Sequence, residues 1–504
     1  MKKFQPLIYA ILISIGMYIG SINNSTKISL NSKVDNILQM ITEHYVDSIN
    51  YTSFENDAIK SILNELDPHS DYISRKDITS VQENMQGSFS GIGVEFNIIK
   101  DSIVVVSPIS GGPSEKLGIQ SGDRIISIEK ENVASIAIKN EDVIKKLRGA
   151  KGSSVNIIIK RKNHEKTIPF TIIRDDIPLF SVDAGIMLTK DIGYIKINRF
   201  SATTHDEMMK KANSLKAQGM EKIILDFRGN PGGYLHIANQ ICDEFLSNGE
   251  LMVFTEGRNR EKQKFYSTKN GSLEKLQVIS LIDEGSASAS EIVSGALQDN
   301  DRGLVIGRRS FGKGLVQEQI GLNDGSVIRL TTQRYYTPSG RCIQKNYTES
   351  LKKYHLEQYT RKDTSKHQND SLKYTTKKGR IVYGGGGITP DIIIERDTNL
   401  NYLQINKIIS KGWINEFCFE KSELFKKQNI KNYTQLNSTS IYNTFLKYIK
   451  EKDRKFKLKL GATEFKYLEN LLLATISRNL WDNDTYYTIL SKEDEYIQRA
   501  INEF

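Results

Sequence analysis

Three features of the chain predict an α/β multidomain fold. Apolar strand-like runs and helices alternate from about residue 176 to 395, and short β-rich runs separated by turn residues fill 86–174. Helical spacing of apolar residues marks both flanks, 32–85 and 400–504. With 504 residues, 38% of them hydrophobic, the chain can fill several cores. Its formal charge of +10 is scattered, with no basic stripe interleaved with aromatics, so no nucleic-acid partner is expected. Cys242, Cys342 and Cys418 are odd in number and far apart, which supports neither a disulfide framework nor a zinc site. No ligand cluster with metal spacing stands out, and neither metal nor cofactor is expected.

Lys2 and Lys3 precede an uncharged apolar run over 7–22, the pattern of an export signal or membrane anchor within 1–24. The run is shorter than the roughly 20 residues of a spanning helix, and no clear cleavage site follows it. Cleaved and uncleaved forms both stay open; either places the rest of the chain outside the cytoplasm, on the periplasmic side of the cell envelope.

In the N-terminal helical region, Val34, Ile37, Leu38 and Ile41 recur at helical spacing, as do Phe54, Ala58, Ile59 and Ile62. Pro68 in Leu66-Asp67-Pro68-His69-Ser70 ends it. His69 is read as a loop residue before it is read as a base. Next come strands over 91–96, 103–106, 124–128 and 155–159, with a helix over 140–147. With Gly112-Pro113-Ser114, Ser121-Gly122-Asp123 and Leu147-Arg148-Gly149, this stretch resembles a PDZ domain. A glycine-lined loop at Gly91, Ile92, Gly93 and Val94 suits the terminal carboxylate of a peptide, whose backbone would pair with the strand edge.

In the core, 176–395, strands are expected over 193–197, 222–227, 276–282 and 304–307, with helices over 205–215 and 234–245. A hairpin over 315–332 turns at Asn323-Asp324-Gly325. Residues 345–379 read as a polar inserted loop, and 400–504 as a helical extension of unreadable role.

Three chemistries compete here. Gly307 to Lys313 matches a P-loop, but Gly314 stands where the magnesium-binding hydroxyl belongs, and a hairpin follows instead of a helix. A Ser-His-Asp hydrolase lacks its G-x-S-x-G elbow, and only His355 and His367 lie downstream of the serines. A Ser-Lys pair fits better. Ser288 would open a helix, where N–H groups favour developing negative charge, and a buried Lys313 could lose its proton. The plainer alternatives are a capping box, Ser288-x-x-Glu291, and a surface lysine.

The set Leu66–Ser70, the PDZ-like stretch, Asp226-Phe227-Arg228-Gly229-Asn230-Pro231-Gly232-Gly233, Ser286-Ala287-Ser288-Ala289-Ser290-Glu291, Phe311-Gly312-Lys313-Gly314 and Thr337-Pro338-Ser339-Gly340 occurs in one order. It resembles the carboxy-terminal processing (tail-specific) serine proteases over roughly 32–395. That resemblance implies a crotonase-like α/β core with an inserted PDZ domain, Ser288 as nucleophile, Lys313 as general base and Gln317 as the residue orienting it. It also implies an oxyanion hole from the Gly233 and Ala289 N–H groups, and gating by the PDZ domain through Arg148. Protein or peptide substrates with accessible C-termini are the implied partners, and a homo-oligomer stays open. The competing class is a catalytically silent PDZ-containing envelope scaffold.

Overall fold

The computed structural model describes residues 33–504 apart from 100, 110, 163, 349, 362–369, 397–401 and 429. The expected signal or anchor at 1–24 lies outside the described residues, among which no helix is long and apolar enough to cross a membrane.

A six-stranded sheet carries the core, in the order Val182–Met187, Ile192–Ile197, Lys222–Asp226, Gln277–Ile282, Leu304–Gly307, Ile392–Ile393. Only the first pair is antiparallel. Ile192–Ile197 is buried along its whole length, as a parallel strand covered on both faces must be. Alternate side chains divide between two cores. Ile195, Ile197, Ile223 and Leu225 pack with Met208, Phe245 and Ile292 from the helices Thr204–Ala217, Leu235–Phe245 and Ala289–Asp299. Tyr194, Ile224 and Leu281 face the other way, onto Tyr496, Ile497 and Ala500. The second face is thus closed by the last helices of the chain, Asn483–Leu490 and Glu495–Asn502.

A second sheet is built on the long strand Val327–Tyr336, which pairs with Leu315–Gly321 on one side. On the other it takes Asp71–Ile73 and Leu251–Gly257, the latter forming a hairpin with Arg260–Tyr266. The N-terminal region therefore ends as a strand of this sheet. The small β domain orders its strands Val94–Ile98, Ile103–Pro108, Arg124–Ile128, Ser154–Lys160, Ile168–Ile173. Val143 and Leu147 of the helix Asn140–Leu147 plug its core of Ile103, Ile125 and Ile157.

The polar loop expected over 345–379 is partly regular. Leu351–Thr360 is a helix capped by Ser350, whose Oγ accepts from the Lys353 N–H, and Lys373–Thr375 pairs with Ile381–Tyr383. Among its described residues one deeply buried apolar anchor, Tyr354, is too little to produce a periodic signal. In the C-terminal region, Trp413, Phe417, Phe445 and Leu468 form a separate helical core from Tyr402–Ser410 through Ala462–Leu480.

Candidate active site

Ser288 stands between the strand Gln277–Ile282 and the helix Ala289–Asp299, at the latter's N-cap. Its φ of +55° is in the left-handed region that side-chain-bearing residues rarely adopt, a strain of about 1–3 kcal/mol that its surroundings must hold in place. Two loops supply the hold. Ala287 N–H and Ser290 Oγ both donate to the Asn230 carbonyl, at 2.9 and 3.1 Å, and Ser286 Oγ donates to the Phe227 carbonyl at 2.8 Å. Asn230 is itself buried, its Nδ2 donating to the Ile197 carbonyl and its Oδ1 accepting from the Gly232 N–H.

This stitching presses the glycine loop against the serine. A methyl group on Gly232 would lie 2.8 Å from Ser288 Cβ, and one on Gly233 2.1 Å from the Phe200 carbonyl oxygen. Both glycines have positive φ, +97° and +153°, so the sequence needs glycine there for conformation as well as space. Among the described residues the Gly233 and Ala289 N–H groups have no acceptor within the protein.

Glu291 is fully buried and organises the site, a role the sequence showed only as the end of a capping box. Its Oε2 accepts from the N–H groups of Ser288 (2.8 Å) and Lys313 (2.9 Å); its Oε1 accepts from Gly312 N–H (2.8 Å) and Ser310 Oγ. Burial pushes its acidity down, raising the pKa against those hydrogen bonds. Tyr335, buried as well, donates toward the carbonyls of Ser288 (3.2 Å) and Lys313 (2.6 Å), a second link between the two segments. Glu291→Gln should lower activity about a hundred-fold, because an amide cannot accept from four donors and small displacements of reacting groups are costly. The same change should lower stability by roughly 2 kcal/mol or more. Steady-state kinetics and thermal melting of that variant check both.

Ser288, Lys313, Gln317, Gly233 and Tyr335 line one cavity of about 640 Å³. Lys313 has its pKa pushed down to about 8, first by burial and then by the nearby Arg329. Gly312, with φ +91°, turns the chain there, and the strand begins only at Leu315, so Lys313 and Gln317 are not held apart by four extended residues. The ladder is also irregular between Val316 and Gln317. Gln317 does not hydrogen-bond Lys313, however; its Nε2 points to Thr331 Oγ1 at 3.4 Å.

The Leu66–Ser70 motif borders the site. Asp67 Oδ1 accepts from the His69 and Ser70 N–H groups, and Ser70 Oγ accepts from Thr331 N–H. Burial, then Lys313, lowers the His69 pKa to about 3, so the imidazole is neutral at physiological pH; its Nε2 meets Tyr354 Oη at 2.7 Å. Arg148 is not in this cavity. Its guanidinium pairs with Glu83 at 2.6 Å and covers the Phe89 ring at 4.1 Å. The helix Arg75–Gln86, which carries Glu83, does reach the cavity through Gln82, Met85 and Gln86. Gly93 and Val94 lie at the start of the small domain's edge strand with Ile92, in a separate cavity that Arg148 also lines.

Comparison with known proteins places this geometry. The model of peptidase family S41 matches residues 191–350, and the PDZ domain model matches 90–172. The carboxy-terminal processing protease CtpB of Bacillus subtilis (strain 168) is 35% identical over 63% of this chain and 66% of its own length, just under two thirds. The carboxy-terminal-processing protease of Bartonella bacilliformis is 34% identical over 66% of this chain and 77% of that one. Among solved structures, the PDZ domain of a Vibrio cholerae carboxy-terminal protease in complex with peptide is 30% identical, covering 18% of this chain and 99% of that one at a TM-score of 0.17. The chain belongs to the carboxy-terminal processing proteases of peptidase family S41.

Proposed function

We propose that the protein is a serine endopeptidase that cuts exported proteins near their C-termini through a Ser288–Lys313 dyad and an acyl-enzyme. The carrying observation is that a strained helix-opening serine, a lysine with pKa near 8 and Gly233 line one cavity, and that among the described residues the N–H groups of Gly233 and of Ala289, next to the serine, have no acceptor. Neutral Lys313 takes the proton of Ser288 Oγ as that oxygen attacks the scissile carbonyl carbon. The resulting oxyanion accepts from the Gly233 and Ala289 N–H groups. Lys313 then passes the proton to the leaving amine, the C–N bond breaks, and an ester to Ser288 remains. Water, giving its proton to Lys313, hydrolyses that ester and restores the serine. Gln317 is assigned to orienting Lys313, through a shift away from Thr331 when substrate fills the cavity.

The PDZ domain, through the Gly91–Val94 loop, holds the substrate's C-terminal carboxylate. Arg148, paired to Glu83, ties that loop to the helix bordering the active site and is the assigned gate. The core is read as crotonase-like. The apolar run at 7–22 puts the reaction outside the cytoplasm, on the periplasmic side, as a released or anchored protein. A silent scaffold would have no use for a strained serine facing a deprotonatable lysine.

A reporter protein with an unstructured tail tests the reading, with products mapped by mass spectrometry. Cleavage within the tail is expected, slower when the terminal carboxylate is amidated and unchanged by EDTA, since neither nucleophile nor base is assigned to a metal. An uncut tail overturns the proposal, and loss of cleavage on chelation overturns the dyad chemistry.

A further inference from the structure

The strand Val94–Ile98 is the edge of the small domain's sheet: it pairs with Ile103–Pro108 on one side and, among the described residues, has no strand on the other. Between this edge and the helix Asn140–Leu147 opens the groove lined by Val94, Ile144 and Leu147. The groove is not open to bulk solvent on its far side. A cavity of about 750 Å³ continues from it onto the C-terminal helices, which contribute Asn415, Arg478, Asn479 and Trp481. The two bodies touch directly, with Phe419 in an apolar cluster with Ile99 and Val104, and Ser121 Oγ donating to Glu423 at 3.2 Å.

The polar groups around this cavity are unequally committed. Arg148 is paired with Glu83, and Asp482 caps the helix Asn483–Leu490 by accepting from Thr485 N–H at 2.7 Å. Arg478 lies over the Tyr486 ring, 5.4 Å from its centre, and among the described residues has no carboxylate partner. The Asn415 and Asn479 amides likewise have no hydrogen-bond partner there. An exposed guanidinium and two uncommitted amides thus face an unpaired strand edge, an arrangement suited to an extended peptide bearing a carboxylate.

We propose that the C-terminal helices form the second wall of the peptide groove, and that Arg478 recognises an acidic side chain within about the last five residues of a bound substrate, the length the edge strand can pair. The inference rests on the reading of the small domain as a binder of C-termini. The helical wall then selects among tails, while the glycine loop takes any free carboxylate.

The full chain carrying Ser288→Ala, titrated with fluorescein-labelled ten-residue peptides, tests it by fluorescence polarisation. Two peptides differ only in Glu or Lys at the third position from the end, and a third is the Glu peptide with an amidated terminus. The Glu peptide should bind about ten-fold more tightly than the Lys peptide, the worth of one charge-assisted contact. Arg478→Gln should erase that preference and Arg478→Glu reverse it, with melting temperatures unchanged because the side chain is exposed. A Glu/Lys ratio that stays the same in both variants overturns the second wall. Equal binding of the amidated and free-acid peptides, or no binding of any, overturns instead the reading on which it rests.

Discussion

Alanine at Ser288 should abolish peptide cleavage while leaving the fold and peptide binding intact. The substitution removes one oxygen and keeps Cβ, so the packing against Gly232 and the contact of the backbone N–H with Glu291 persist. Loss should exceed about 10⁴-fold, as expected when a group acting as part of a unit is removed. Lys313→Met should be comparably inactive, and here stability adds a second readout. The folded pKa of Lys313, about 8, lies below its ordinary 10.5, so burial disfavours the charged form. Below about 8 both folded and unfolded chains hold the proton, and the fold bears the full cost of a buried charge. Between about 8 and 10.5 the unfolded state binds more protons, so this group makes stability rise with pH. Methionine at this position should therefore keep or raise the melting temperature at pH 7 and flatten its rise above pH 8. The wild-type kcat/KM should climb through about pH 8 as the amine is deprotonated. A profile flat from pH 6 to 10, or cleavage by either variant at the wild-type rate, would remove the dyad from the mechanism.

What was legible beforehand follows a physical division. Strands such as Ile192–Ile197, apolar apart from Lys196 because both faces are covered, announce themselves in composition, and Asn140–Leu147 does so through its one-sided spacing. The proposed reactive pair was legible because Ser288 and Lys313 sit in short, glycine-flanked motifs that few other chemistries tolerate. Glu291 and Tyr335 were hidden for the opposite reason: one looks like a cap and the other like a strand residue, and only contacts across 22 and 47 positions show them joining Ser288 to Lys313. The hairpin Leu251–Gly257/Arg260–Tyr266 went unread because its second strand is almost wholly exposed and polar, with no alternation to detect. Tertiary partnership also decides the fate of the expected loop at 345–379, where Tyr354 is buried against His69 and Phe311.

Removing residues 483–504 should unfold the protease core, although its proposed catalytic residues lie outside that stretch. Tyr496, Ile497 and Ala500 cover the face of the central sheet formed by Tyr194, Ile224, Leu281 and Ile306. Losing a large buried side chain costs about 2–5 kcal/mol, so removing several approaches the whole 5–15 kcal/mol by which a domain is stable. The same segment neutralises charges: Asp494 pairs with Arg228 at 2.9 Å, and Asp484 with Lys211 at 2.7 Å. Arg228 in turn grips Asp226, which burial alone would protonate but which Arg228 and Lys196 hold well below the usual carboxylate range. Since Arg228 begins the loop that carries Gly233, the terminal helices also brace the proposed oxyanion site. Asp494→Asn separates the two effects: its melting temperature should fall by a few degrees at most, while kcat falls more than KM changes because Gly233 is less firmly placed. A truncated protein that is soluble, melts like the full chain and cleaves the tail reporter at the same rate would show instead that the sheet's second face is covered without these helices.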